Sequence, residues 1–191
     1  AFSPPTGSGY VYSQQDDDAF KRLTKTIDLT GVTGPASLTF SVSHDTEAEW
    51  DFVFVEARTA GGTDWTTLPD RNGNTTQDTG QSCPAFPIRD VHPQLANYMT
   101  FDAVTGTCSP VGEPGSSGGA WHGSTGNSGG FHVWDIDLAA YAGKQVELSI
   151  SYFSDAAVQG LGVFVDDVAV TAGTTTVDST SFEGNLGGWV V

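Results

Sequence analysis

Acidic side chains are the groups in this sequence best suited to chemistry. Asp45, Glu47, Glu49 and Asp51 fall within one short segment, and Asp166 and Asp167 interrupt a run of Val and Phe. Closely spaced hard oxygen ligands suit Ca²⁺, which takes six to eight oxygens from carboxylates, carbonyls and water. These residues therefore predict a calcium site with a structural, not a catalytic, role.

Asp166 and Asp167 carry this prediction furthest. Strand alternation places adjacent side chains on opposite faces, so one of the two is expected to point inward. An inward carboxylate needs a partner, and a cation would supply one. The alternative is a carboxylate that accepts backbone N–H bonds at the end of a sheet.

Three other chemistries have weaker sequence support. The segment 126–130, Gly-Asn-Ser-Gly-Gly, is close to the nucleophile loop of chymotrypsin-like proteases, but a glycine-rich connection is the simpler interpretation. Nothing in the sequence fixes the separation of two carboxylates for glycoside hydrolysis. The five Trp residues could form part of a sugar-stacking face, although most are expected in the core.

The balance of charge excludes some partners. The chain has 23 acidic and 7 basic residues, a formal net charge of −16. Such a surface repels phosphate backbones and anionic membranes, so we expect no nucleic-acid partner and no membrane insertion. Bound divalent cations would relieve the self-repulsion, whereas solubility alone is the alternative reason for the acidity.

Cys83 and Cys108 are the only two cysteines. A disulfide between them would close a proline-rich loop and remove roughly 3–4 kcal/mol of unfolded-state freedom in the chain-entropy model. It would also indicate an oxidising, extracellular compartment. Two unpaired buried thiols are the alternative.

A repeated pattern organises the strands that must position these groups. Residues 38–57 and 148–167 both contain an alternating strand, a loop with an early aspartate (Asp45, Asp155) and a second strand with a similar Val-Phe-Val core. Each copy holds too few strands for an independent core. We therefore expect two halves of one two-sheet structure, with the acidic loops in related places and most of the acidic residues in the first loop.

The whole chain is predicted to be all-β, a two-sheet antiparallel β-sandwich (jelly roll) with one long loop closed by a disulfide. The chain starts at Ala1 with neither an initiator Met nor a signal-peptide pattern, which predicts a mature or excised fragment. Residues 1–9 are predicted as a flexible leader and 10–177 as the sandwich domain. Period-2 patterning predicts strands over 10–13, 20–29, 37–44, 51–59, 64–68, 119–123, 130–138, 145–154, 161–171 and 176–182. Residues 70–118 are predicted as an irregular excursion with one helical turn near 92–98.

The final segment, 178–191, contains Phe182-Glu183 and Trp189 in the order found in the opening strand of a carbohydrate-binding-type jelly roll. Three interpretations stay open at this point. The segment could close the same domain, begin a following one, or pair with a neighbouring molecule through an open strand edge.

An ordered series of motifs resembles a known family. The series comprises five segments, which are Asp45 to Ala57, Thr63 to Leu68, Gly119 to Phe131, Asp137 to Lys144 and Gly162 to Val168. It is similar to the MAM-like, immune inhibitor A-like jelly-roll accessory domain of secreted bacterial metallopeptidases, including actinobacterial zinc carboxypeptidases. The resemblance implies an extracellular jelly roll, commonly with bound calcium, appended to a catalytic domain. It points to metal ligands at Asp45, Glu47, Asp51, Asp166, Asp167 and Glu183.

The motifs of the catalytic domain are missing from this chain, which has neither an HExxH helix nor a carboxypeptidase zinc triad. We therefore expect a secreted, non-catalytic, calcium-stabilised module that serves stability or attachment to a substrate or surface. Its expected partners are the parent peptidase domain and a protein or polysaccharide surface. A carbohydrate-binding module and an independent hydrolase are the alternatives.

Overall fold

Antiparallel strands dominate the computed structural model, which describes residues 3–85 and 88–191. The strands are β1 Val11–Tyr12, β2 Phe20–Asp28, β3 Ala36–Asp45, β4 Phe52–Thr59, β5 Thr66–Leu68, β6 Thr100–Asp102, β7 Thr107–Ser109, β8 Ser124–Thr125, β9 His132–Asp137, β10 Gln145–Phe153, β11 Gly162–Ala172 and β12 Thr175–Thr180. Two short helices, α1 Ser82–Ala85 and α2 Ile88–Val91, and two 3₁₀ turns, Pro93–Asn97 and Ala139–Tyr141, complete the elements.

Two sheets form the predicted sandwich. The first has the order β1-β11-β3-β9, with β12 also pairing with β11, and the second has the order β2-β10-β4-β5, with β8 also pairing with β4. All the pairings are antiparallel. The predicted fold class is therefore confirmed.

The repeated pattern maps onto the two sheets in a simple way. The first strands of the two copies are β3 and β10, and the second strands are β4 and β11. β3 pairs with β11 in one sheet, and β4 pairs with β10 in the other, so each copy gives one strand to each sheet. Two loops consequently meet at one end of the sandwich, the loop 46–51 between β3 and β4 and the loop 154–161 between β10 and β11.

The main core lies between the two sheets. Its fully buried members include Leu38, Val42, Val55, Leu148 and Val170. These residues occupy alternate positions of long β-branched and aliphatic strands, the pattern expected when one face of each sheet is buried.

A second core covers the outer face of the second sheet. Phe52, Phe54 and Phe153 point away from the main core and pack against Trp121 and residues of the 70–118 excursion. β4 is therefore buried on both faces, as its unbroken burial from Phe52 to Ala57 shows. The excursion that the sequence predicts as irregular is the lid of this second core.

The disulfide between Cys83 and Cys108 is confirmed, and it joins α1 to β7 within that lid. The predicted helical turn is present as the 3₁₀ turn Pro93–Asn97, whereas α1, α2 and the β6–β7 hairpin were not predicted. The prediction of a strand over 119–123 was wrong, because Ala120 makes only an isolated bridge with Val111 and the strand forms at Ser124–Thr125.

Residues 6–9 and 182–190 both lie against the sandwich. Phe182 and Trp189 are buried in the main core, and Val190 exchanges backbone hydrogen bonds of 2.8 and 2.9 Å with Thr24 of β2. At the other end, Thr6, Ser8 and Gly9 hydrogen-bond to acidic side chains described below. Residues 1 and 2 of the predicted leader lie outside the described residues.

Within residues 3–85 and 88–191, no helix has the length and apolar character needed to cross a membrane.

Candidate functional site

The two loops of the repeat bring three carboxylates together at one end of the sandwich. Glu47 and Asp51 come from the loop 46–51, and Asp155 comes from the loop 154–161. One ligand oxygen from each lies within 4.8 Å of the other two, a grouping that could hold a metal ion. The strand pairing Phe52–Phe153 sets this geometry, because Asp51 directly precedes Phe52 and Asp155 follows Phe153 by two residues.

Asp51 is the most constrained member of this triad. Its side chain is fully buried, and its Oδ1 accepts a 3.0 Å hydrogen bond from the Asp155 backbone N–H. Among the described residues, Oδ2 receives long contacts of 3.4 Å alone, from the Glu47 N–H and the Tyr152 hydroxyl. A buried carboxylate with weak donors on one oxygen is only partly compensated by its neighbours, and a bound cation would complete that compensation.

Burial raises the pKa of Asp51 to about 6, and the neighbouring charges of Asp155 and Glu47 act in the same direction against the hydrogen bonds it accepts. Burial and the charge of Asp155 also raise the pKa of Glu47. The three carboxylates therefore repel each other when ionised, and a bound cation would remove that repulsion.

The backbone of the first loop is held by residues outside the triad. Thr125 of β8 donates its hydroxyl to the Glu47 carbonyl (3.1 Å) and accepts the Glu49 N–H (2.8 Å). Glu49 adopts a positive φ of 69°, which turns the chain back so that the Asp51 N–H reaches the Glu47 carbonyl at 3.0 Å. These hydrogen bonds hold the loop backbone without using the triad carboxylates, and a loop that is held in this way loses less entropy when it binds a ligand.

Asp45, which the sequence predicts as a ligand, lies outside the triad. Its carboxylate accepts hydrogen bonds from the Asn127 side chain (3.0 Å) and the Leu161 N–H (3.4 Å). Asp45 therefore joins the two loops to the segment 126–130.

Asp166, Asp167 and Glu183 gather around residues 6–9 instead. Asp167 accepts the Thr6 hydroxyl at 2.6 Å, and Glu183 accepts the Ser8 and Gly9 N–H groups at 2.7 and 2.6 Å. Asp166 is fully buried, accepts the Asp167 N–H at 2.7 Å and receives a 3.4 Å contact from the Thr6 N–H. Their assignment as metal ligands stays a prediction.

Strand alternation alone misplaces Asp167, which it would put on the core face with Val163 and Val165. Val163 and Val165 belong to the main core, so Asp166 lies on the opposite, outer face of the sheet. Asp167 has a φ of 51° and sits in a register shift between Asp166 and Ala169, and this bulge returns Val168 to the core face. Neither aspartate needs to enter the main core, because an irregularity of one residue restores the apolar pattern.

The pKa values around residues 6–9 move in opposite directions. Burial raises the pKa of Asp166, helped by the charges of Asp167 and Glu183. The N–H groups of Gly9 and Ser8 hold the pKa of Glu183 below its usual range. The N-terminal segment thus supplies donors to Glu183 and leaves Asp166 as the poorly compensated charge.

A serine and a histidine pair elsewhere, beside a small polar cavity of about 230 Å³. The His44 ring places Nδ1 2.8 Å from the Gly126 carbonyl and Nε2 3.0 Å from the Ser124 hydroxyl. Because a carbonyl only accepts, Nδ1 carries the proton and Nε2 accepts from Ser124 in the neutral ring. Burial lowers the pKa of His44 and keeps it neutral. Ser128 of the protease-like segment donates instead to the Gly130 carbonyl.

Comparison with family models and with curated proteins gives no match to this chain. The resemblance stated from the motifs therefore rests on the sequence alone.

Two of the three residues that the structure brings together, Glu47 and Asp51, are predicted from the sequence as ligands, whereas Asp155 is not. The signal for Asp155 was present, because the repeat places it at the position equivalent to Asp45 in a loop expected to lie beside the first. The sequence does not show that the Asp155 side chain joins the triad, because the equivalent residue of the first copy, Asp45, lies outside it.

Proposed function

We propose that this chain is a non-catalytic, calcium-stabilised accessory module of a secreted peptidase, which serves the stability of the parent protein or its attachment to a substrate or surface. The observation that carries the calcium assignment is the triad of Glu47, Asp51 and Asp155, with its fully buried central carboxylate.

The chemistry of the triad favours calcium among common metals. All three side chains offer carboxylate oxygen, with neither sulfur nor imidazole in the group. Hard oxygen ligands of this kind bind Ca²⁺ or Mg²⁺, and the flexible, high coordination number of Ca²⁺ suits a loop that can add carbonyl and water ligands.

The disulfide and the acidic surface support an extracellular setting. Disulfides persist in oxidising compartments and are rare in the cytosol. The peptidase context comes from the motif resemblance. The same resemblance predicts that the purified module hydrolyses neither peptides nor proteins.

The calcium assignment is tested by thermal unfolding of the Asp51→Asn variant beside the wild-type chain. We expect EDTA to lower the melting temperature of the wild-type chain and calcium to restore it, because an ion that binds only the folded state stabilises it by mass action. Asp51→Asn removes the central charge but keeps an acceptor for the Asp155 N–H. This variant should melt at the same temperature in calcium and in EDTA.

Asp45→Asn is the matched control, since Asp45 is a nearby acidic residue outside the triad. It should keep most of the calcium response. An unchanged wild-type melting temperature in excess chelator, confirmed by the absence of bound metal in mass spectrometry, would contradict the proposal. A calcium response that survives Asp51→Asn and disappears with Asp166→Asn would move the ion to the group around residues 6–9.

The carbohydrate-binding alternative loses support from the burial of three of the five tryptophans, whereas Trp50 is half-buried. Trp121, Trp134 and Trp189 are at most 2 % exposed, so they cannot stack on a sugar ring. Trp65 lies beneath the guanidinium groups of Arg22 and Arg58, at 5.2 and 4.6 Å from the ring centroid.

The His44–Ser124 pair is the observation that favours the hydrolase alternative. Turnover of an activated ester that Ser124→Ala abolishes and Ser128→Ala leaves unchanged would establish it. The accessory-module proposal predicts no turnover above the buffer rate for any of these proteins.

A further inference from the structure

The lid of the second core contacts the loop 46–51 of the triad. The Glu49 carbonyl accepts the backbone N–H groups of Gln81 and Ser82, at 2.8 and 3.3 Å. The Gln81 side chain also donates to the Glu49 carboxylate. The approach is close, because a Cβ added at Gly80 would stand 2.2 Å from the Glu49 carbonyl oxygen. Glu49 lies midway between two triad residues, so the lid holds the backbone from which both of their side chains extend.

The same lid contacts the loop 154–161. Nε2 of His92 lies 2.8 Å from the carbonyl oxygen of Ser154, the residue directly before Asp155 of the triad. Because a carbonyl only accepts, Nε2 carries the proton and donates it to this bond. His92 is 4 % exposed, and its ring centroid lies 5.8 Å from that of Phe153, so packing fixes its position. The lid therefore holds both loops beside their carboxylates.

The disulfide anchors the part of the lid that makes these contacts. Cys83 directly follows Ser82, and its bond to Cys108 ties this point of the chain to β7. The helix α1 that carries Cys83 has four residues, too few to be stable without outside contacts. Cys83 is buried, whereas Cys108 is partly exposed, so we expect a thiol from solution to attack at Cys108. Reduction would leave α1 and the donors before it without their covalent anchor.

We propose that the lid couples the disulfide to the triad, so that the oxidised chain binds calcium tightly and reduction of the bond weakens the binding. The inference rests on the calcium assignment and adds redox control to it. A dithiol reduces the bond in two exchange steps. Its thiolate attacks one sulfur and expels the other cysteine, which takes up a proton, and its second thiol then displaces the first sulfur and closes the reagent's own disulfide. Because linkage is reciprocal, calcium favours the oxidised form by the same factor.

Calcium titration against a fluorescent chelator tests the first half of this coupling. The calcium Kd of the chain in excess dithiothreitol should be at least about tenfold higher than that of the oxidised chain, because loops that are no longer held lose more entropy on binding. His92→Phe, with the disulfide intact, removes the bond to Ser154 but keeps a ring, and should raise the Kd about threefold or more. His122→Phe is the matched control, since His122 is partly buried and its Nδ1 has no partner among the described residues. It should leave the Kd unchanged.

A redox titration tests the second half. The chain is equilibrated with mixtures of reduced and oxidised dithiothreitol, in calcium or in EDTA, and its free thiols are alkylated and counted by mass spectrometry. Saturating calcium should raise the ratio of reduced to oxidised reagent at half-reduction by about tenfold or more, matching the change in calcium Kd. Asp51→Asn removes the central carboxylate of the triad, so calcium should leave the half-reduction ratio of this variant unchanged.

Equal calcium affinity of the oxidised and reduced chains would overturn the coupling and leave the calcium assignment standing, as would a half-reduction ratio that calcium does not move. An oxidised chain that binds no calcium would contradict the calcium assignment itself and the coupling with it. If the reduced chain unfolds as a whole, seen as a loss of amide protection in β4 and β10, His92→Phe decides the outcome. A Kd of that variant equal to the wild-type value would then overturn the proposal.

Discussion

Asp51 shows how little of a site a single residue reveals before its neighbours are known. Its position among other acidic residues predicts a metal ligand, and the structure places it with Glu47 and Asp155. The sequence does not show that Asp51 is fully buried while its neighbours are only partly covered. That difference follows from the Phe52–Phe153 strand pair, which draws the adjacent Asp51 beneath both loops.

The raised pKa of Asp51 predicts that, when no metal ion is bound, the protein is more stable at acidic than at neutral pH. Its folded-state pKa of about 6 lies above the ordinary aspartate value near 3.9, so the folded chain binds a proton that the unfolded chain releases. In EDTA, this group therefore contributes most to stability below about pH 4, and the contribution disappears as the pH rises through 6. Calorimetric melting temperatures of wild type and Asp51→Asn, compared from pH 4.5 to 7.5, should show the variant gaining on the wild type as the pH rises.

Saturating calcium provides the control for this prediction, because the ion stabilises the ionised carboxylate and should favour the wild type near neutral pH. A difference between the two proteins that stays constant across the pH range in EDTA would contradict the assignment of this titration to Asp51.

The repeat predicts the elements well where they form the scaffold. It anticipates two copies sharing one two-sheet structure, and β3, β4, β10 and β11 are those four strands. It does not predict the second core, because the excursion that builds it lacks a periodic pattern. Phe52 and Phe54 indicate a second core, because they alternate with Val53 and Val55 and so make both faces of β4 apolar.

Glu56 joins the second core to the sheet beneath it. This buried carboxylate receives two bonds from Arg22 (2.8 and 2.9 Å), one from the Tyr98 hydroxyl (2.6 Å) and one from the Ser151 hydroxyl (2.6 Å). The sequence alone gives no reason to single it out from the other acidic residues. These three partners come from β2, from β10 and from just beyond the 3₁₀ turn of the lid, and the Gln94 side-chain amide within that turn donates a further bond of 3.1 Å.

We expect Glu56→Ala to lower the free energy of unfolding by about 3 kcal/mol, because it leaves two buried hydroxyls and a guanidinium without their acceptor. Glu147→Ala is the matched control, since Glu147 also pairs with an arginine, Arg58, at a partly exposed position of the same sheet. Its cost should stay below about 1 kcal/mol. Urea unfolding in calcium measures both values, and equal costs would contradict a special role for Glu56.

On the scale of the whole molecule, the repulsion between acidic groups opposes the compact folded state. A net charge of −16 on 191 residues favours expansion, and the structure gathers part of that charge at the triad and part around residues 6–9. The sequence predicts the sign and size of this charge directly. Its placement depends on which loops the topology brings together, which strand periodicity does not determine.

The ion-free protein should therefore be stabilised by monovalent salt, in proportion to its total charge. In EDTA, raising KCl from about 0.01 to 0.5 M shortens the screening length from about 30 Å to a few ångströms, so the melting temperature should rise. Calcium should reduce this rise because it neutralises the triad. Replacing Asp16, Asp17 and Asp18 with Asn removes three charges outside the triad and should weaken the salt effect in EDTA while the response to calcium persists. A salt effect that this variant retains in full would contradict its origin in the total charge of the molecule.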